Sequence, residues 1–258
     1  MTRFGKTIHD FADFYYEVAK GNVTGHKCVY KFGHDPDVDV LDGYQDLVLG
    51  GVYAGFNAVS ALAVTVTSLD VNDTAAGTGA QSVIIEGLDA NYEEISETVA
   101  TTGGAATPTT GLFIRVNRAY IGAAGSGGTN AGIILLAHTT PTTMAQIEAG
   151  FGQTMQAAYT IPANKTAYLM QWAVSSNAAI GGLLTHVDAR INVREFNTGS
   201  WRVREQYAML SHGSTSQTHR YIIPCLIANA KADMKLTGQT TRDDTTIEGQ
   251  FGVLLVDD

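Results

Sequence analysis

Four arginines, Arg190, Arg194, Arg202 and Arg204, lie on two alternating runs joined by Asn197 to Ser200. Val187, Ala189, Ile191 and Val193 take one phase of the first run, and Trp201, Val203, Glu205 and Tyr207 take one phase of the second. Such alternation reads as a β-hairpin, so as many as four guanidinium groups are expected on one outward face. Guanidinium binds carboxylate through two parallel hydrogen bonds in a plane, which makes docking to acid groups on a neighbouring subunit the chemistry of such a face. Like charges opposed across strands repel, and Asp188, Glu195 and Glu205 offer an internal network as the alternative reading.

No other cluster assembles a reaction. Asp35, Asp37, Asp39, Asp42 and Asp46 resemble a calcium loop, but Val40 stands where the sharp-turn glycine belongs and Asp46 where the bidentate Glu belongs. A solvated acidic loop is expected. The seven histidines show no H-E-x-x-H and no paired ligand spacing, and no G-x-S-x-G elbow is present. The glycine-rich stretches Asp73 to Gly79 and Gly122 to Gly132 break the G-x-G-x-x-G spacing and run toward strands, so they read as turns and not as phosphate cradles. Cys28 and Cys225, with no C-x-x-C pair, are expected as free thiols. No enzyme, cofactor or metal is expected.

The elements that must carry these residues are strands. From Val59 to Leu136 the chain reads strand, turn, strand: Val59 to Val66, Gln81 to Leu88, Tyr92 to Val99, Leu112 to Ile121 and Ala131 to Leu136. Met155 to Ile161, a reversal at Pro162 to Lys165, and Tyr168 to Val174 read as a hairpin central to a second sheet. Thr218 to Ile223, Met234 to Thr240 and Gln250 to Val256 complete that unit. The expected fold is therefore all-β: two β-sandwich or jelly-roll-like units, residues 47–140 and 153–258, with 141–152 as a linker, short helix or short strand.

Residues 1–46 differ, holding eight of the chain's 22 aromatic side chains, Phe11, Phe14, Tyr15, Tyr16, Tyr30 and Phe32 among them. The spacing fits helix or strand. These aromatics pack either on the domain behind them or on another chain; an extended arm that docks is one expectation, a strand of the domain's own sheet the other. If it is an arm, deleting residues 1–46 should abolish partner binding and leave the β units folded.

Charged residues are only 16% of the chain, and the net charge of −9 argues against wrapping nucleic acid. No run approaches the roughly 20 apolar residues of a membrane span, and the N-terminus lacks the apolar core of a signal peptide. Synthesis in a cytoplasm is expected.

Five stretches together carry a resemblance: FYYEVAKGNVTGHKCVYKFG at 14–33, GTGAQSVIIEGLDANYEEISETV at 77–99, IRVNRAYIGAAGSGGTNAG at 114–132, QTMQAAYTIPANKTAYLMQW at 153–172 and the terminal FGVLLVDD. The set resembles a family of virion structural proteins of tailed bacteriophages. The resemblance implies a non-enzymatic particle component made in the bacterial host cytoplasm. A decoration protein on the major capsid protein, forming a trimer or other closed ring, is the expectation, with Phe11, Phe14, Tyr15, Tyr16, Tyr30, Phe32 and the four arginines as partner-binding residues. A neck, tail or fibre component is the alternative, as is a glycan-binding module using Trp172 or Trp201 as a stacking platform. The connection from Asn177 to Thr185 departs from the family in being longer, through Gly181-Gly182.

Overall fold

Alternating apolar residues along most of the chain produce strands, and the computed structural model describes residues 11–49, 53–138, 143–178, 184–211, 214–221 and 226–258. The fold is nearly all β, built of antiparallel sheets in a sandwich or jelly-roll-like arrangement. After a short helix, α1 (Phe11–Ala19), the chain forms β1 (His26–Val38) and β2 (Gln45–Asp46). It then builds β3 (Leu62–Ser68), β4 (Ala80–Leu88), β5 (Glu94–Ala100), β6 (Thr107–Phe113), β7 (Arg115–Ala124), β8 (Ile134–His138) and β9 (Thr143–Ile147). The remainder supplies β10 (Ala158–Thr160), β11 (Lys165–Ala178), β12 (Thr185–Arg194), β13 (Arg202–Ser211), β14 (Ser214–Arg220), β15 (Ile227–Ala228), β16 (Asp233–Thr240) and β17 (Thr245–Asp257).

Strands β3 to β9 make one unit from two sheets, ordered β6-β3-β8-β9 and β5-β4-β7, around a core that includes Val64, Ile85, Phe113 and Leu136. The other unit pairs β1-β17-β11-β14, with β15 also on β11, against β10-β16-β12-β13, with β2 on β16. Its core centres on Trp172, Leu169, Ile191, Leu236 and Phe251. The first unit is thus inserted into the second, between β2 and β10.

The structure decides between two pairs of alternatives and overturns a third expectation. Residues 26–38 are not an arm: β1 pairs with β17 from His26↔Val256 to Val38↔Thr245, and Val38 is fully buried. Core-facing Val29 and Val38 favour that pairing, so deleting 1–46 removes a structural strand. Residues 141–152 hold β9, the short-strand alternative: it is an edge strand on β8 that buries Met144 and Ile147 in the core of the first unit. Finally, β10 and β11 form no hairpin. β10 pairs with β16 in one sheet while β11 pairs with β17 and β14 in the other, so residues 161–164 arch across the sandwich. Ile161 and Ala163 are buried along that arch and Asn164 takes φ 58, which lets the chain turn. Leu112 to Ile121 likewise divides into β6 and β7, which lie in different sheets.

Two local devices position the rest. Gly33 is required where β1 crosses the β2 end, because a Cβ there would overlap the Leu47 carbonyl oxygen. Asp73, fully buried, gathers the glycine-rich turns: its carboxylate accepts from Ser68 Oγ (2.6 Å) and from the backbone N–H groups of Ala80 (2.6 Å), Ala131 (2.8 Å) and Gly132 (2.9 Å). Burial by itself would raise its pKa, but these donors hold it below the usual aspartate value. The turns that contain no phosphate motif are therefore ordered by an internal anion.

Candidate interaction surfaces and the junction between units

The aromatic residues of the N-terminal segment divide by element. α1 carries Phe11, whose side chain lies outside the described residues, together with Phe14, Tyr15 and Tyr16. Phe14 packs edge-on to Tyr15 (5.4 Å) and His26 (5.7 Å), and the Tyr15 hydroxyl lies 3.5 Å from Met170 Sδ on β11. Tyr16 points away and is 65% exposed. On β1, Val29 faces the core, so the alternate residues Tyr30 and Phe32 face outward. Tyr15 and Tyr30 line one groove of about 390 Å³ with Met170 and Tyr221, and Tyr30 and Phe32 line a second of about 440 Å³ with Ala173 and Thr218. The structure therefore brings Tyr15, Tyr30 and Phe32 onto the outer face of one sheet, with Tyr30 49% exposed.

The arginines are not gathered on one face. Arg190 lies 3.6 Å over the Tyr44 ring and donates from Nε to Gln206 (3.0 Å). Arg194 points into the junction between the units, where Nη2 meets Asp233 Oδ2 at 2.6 Å and also donates to the Phe56 carbonyl. Arg204 reaches Glu195 at 3.9 Å, the internal-network alternative, while Arg202 is exposed with no carboxylate partner among the described residues. A register shift between Ile191 and Asn192 is the cause: it inserts an extra residue in β13 and breaks the alternation that would have aligned them.

The junction is polar and buried. Asp233 accepts from Arg194, from Arg115 Nε of β7 (3.2 Å) and from Thr160 Oγ1 (2.6 Å), while Arg115 Nη1 also donates to the carbonyls of Ala58 and Ile114. Asn117 of β7 exchanges two hydrogen bonds with the Thr160 backbone, and Gln156 Nε2 donates to the carbonyls of Val116 and Asn117. The Tyr53 hydroxyl donates to the Val116 carbonyl at 2.8 Å. Its burial pushes the phenol pKa upward, so it stays a donor. Sequence reasoning missed Arg115, Asp233 and Lys31; for Lys31 a signal existed, since it shares the core-facing phase of Val29.

Asp37, Asp39 and Asp244 bring carboxylate oxygens within 4.8 Å of one another, a set of oxygen donors of the kind a hard cation takes. Repulsion from Asp39 raises the Asp37 pKa. Of the other acids in the run, Asp46 pairs with Lys235 at 2.5 Å and Asp42 accepts from the Asp39 N–H. Cys28 is an exposed free thiol; Cys225, His9, His212 and the Gly181-Gly182 connection lie outside the described residues. Trp172 is fully buried and stacked on Tyr207 at 4.4 Å, which removes it as a stacking platform, while Trp201 is half-buried, packed against Phe56 under Arg194 and Lys235. No described helix is long and apolar enough to cross a membrane.

No protein-family model and no curated relative matches the chain. Among solved structures, the tandem CBM22-1-CBM22-2 domain of Paenibacillus barcinonensis Xyn10C aligns over 92% of this chain and 94% of its own, with 8% identity and a TM-score of 0.23. Infectious bursal disease virus VP2, as a subviral particle, aligns over 95% of this chain and 77% of its own, with 11% identity and a TM-score of 0.23. At that score neither alignment carries an argument.

Proposed function

We propose that this chain is a non-enzymatic virion structural protein of a tailed bacteriophage, a decoration protein that grips the major capsid protein and assembles as a trimer or other closed ring. The observation that supports it is the outward aromatic set Tyr15, Tyr30 and Phe32, held by a rigid sheet beside exposed Tyr16. Aromatic anchors on a preorganised surface supply affinity at low entropic cost, and exposed Arg202 adds charge that fixes register. The resemblance to phage virion proteins supplies the particle as partner.

The test is binding to purified particles, followed by a cryo-EM count of copies. Tyr16→Ala with Tyr30→Ser should weaken binding by roughly tenfold or more, about 1.4 kcal/mol or more, without lowering the melting temperature. Many copies on the shell would support decoration. A few copies at the neck, tail or a fibre would replace that role with the alternative, and absence from the particle would overturn the proposal.

A further inference from the structure

A cleft of about 540 Å³ separates the open edge of β1 from the three-stranded sheet of the inserted unit. Lys31 and Tyr159 line it from one unit, and Glu86, Asn117 and Arg118 from the other. The partner-binding face does not use these residues. Lys31 is only 6% exposed, and among the described residues its amine makes one hydrogen bond, donated to the Asn117 carbonyl. An ammonium carries three donors and a full charge, so a buried one with a single acceptor is poorly matched, whereas a neutral amine carries two donors, leaves only one unmet beside this acceptor, and has a free lone pair. Burial first, then the nearby Arg118 guanidinium, bring its pKa down to about 7 against the opposing pull of Glu86.

Arg118 supplies the second half of a site. One Nη donates to Gln153 Oε1 at 2.9 Å and the guanidinium lies 4.6 Å over the Tyr120 ring, which fixes its plane. It has no carboxylate within ion-pair distance among the described residues. A fixed guanidinium and a nucleophilic amine share one cleft.

We infer that this cleft is a covalent site for small aldehydes or 2-oxo acids that carry a carboxylate, with Lys31 forming the bond and Arg118 holding the anion. The Lys31 nitrogen adds to the carbonyl carbon, giving a carbinolamine. Loss of water then forms the imine. Both amine protons leave with the former carbonyl oxygen, so the step needs no oxidant or reductant and reverses when the ligand departs. This inference is independent of the virion reading.

The experiment treats the full chain at pH 7 with glyoxylate and cyanoborohydride, then maps modified peptides, with glycolaldehyde as the uncharged probe of equal carbon count. Lys31 should be labelled at least ~10-fold faster than exposed Lys20, whose amine is paired with Glu17 at 2.9 Å. Arg118→Gln raises the Lys31 pKa and slows both probes, so the readout is their ratio: glyoxylate labelling of Lys31 relative to glycolaldehyde labelling should fall by at least about fivefold, roughly 1 kcal/mol. Modification of Lys20 with Lys31 untouched would overturn the site. A glyoxylate-to-glycolaldehyde ratio at Lys31 unchanged by Arg118→Gln would overturn the carboxylate preference.

Discussion

A lysine amine in a protein interior is stable only in the protonation state its surroundings accept, and Lys31 accepts the neutral one. With its pKa down at about 7, the unfolded chain holds a proton that the folded chain lacks between roughly pH 7 and 10.4. Stability contributed by this group therefore rises with pH across that window and is lowest below pH 7. Urea unfolding at pH 7 and pH 9 should show a gain of about 2 kcal/mol that disappears in Lys31→Met, which keeps an unbranched apolar stem one atom shorter and removes the titration. Asp73 has the same sign in the acid range: its depressed pKa contributes stability above the unfolded value and loses it as pH falls through the folded one. Asp73→Asn places an amide N–H₂ among four donors, and should cost about 2–4 kcal/mol by denaturant unfolding at pH 7.

At the scale of elements, the N-terminal segment is two things joined at Gly21 to Gly25. α1 contributes Val18 as its buried side chain among the described residues, whereas β1 supplies a full antiparallel partner to β17. Deleting residues 1–21 should leave a cooperative thermal transition within a few degrees of the intact chain. Deleting 1–46 should abolish that transition, because it exposes β17 and opens the core at Val38 and Leu47. Circular dichroism melts of the two truncations distinguish these outcomes. The Arg190 to Arg204 hairpin was legible in its turn and pairing, since Asn197 and Gly199 adopt positive φ between two alternating runs. Its bulge was not legible, because no residue type at Ile191 or Arg204 marks a shift in register.

Across the whole molecule, two sandwiches are locked by one carboxylate, Asp233, which serves Arg115 from the inserted unit and Arg194 from its own sheet. Removing a carboxylate between a buried guanidinium, Arg115, and a half-buried one, Arg194, leaves charge without a counterion. Asp233→Ala should therefore destabilise by about 3–5 kcal/mol, and chemical denaturation followed by probes in each unit should show their transitions separating. The sequence places Arg194 on an outward docking face because its carboxylate partner stands on β16, a strand whose adjacency to β12 no local pattern announces.

The sequence by itself determined that the chain is all-β, where most strands lie, and that one hairpin turns at Asn197 to Ser200, because side-chain alternation and turn chemistry are written within a few residues. Only the tertiary structure decided that β10 and β11 belong to different sheets, that one unit is inserted in the other, and that Lys31 lines a cleft. Those facts depend on pairing between segments far apart in the chain, such as β1 with β17, and an alternating strand has the same local appearance whichever neighbour it takes.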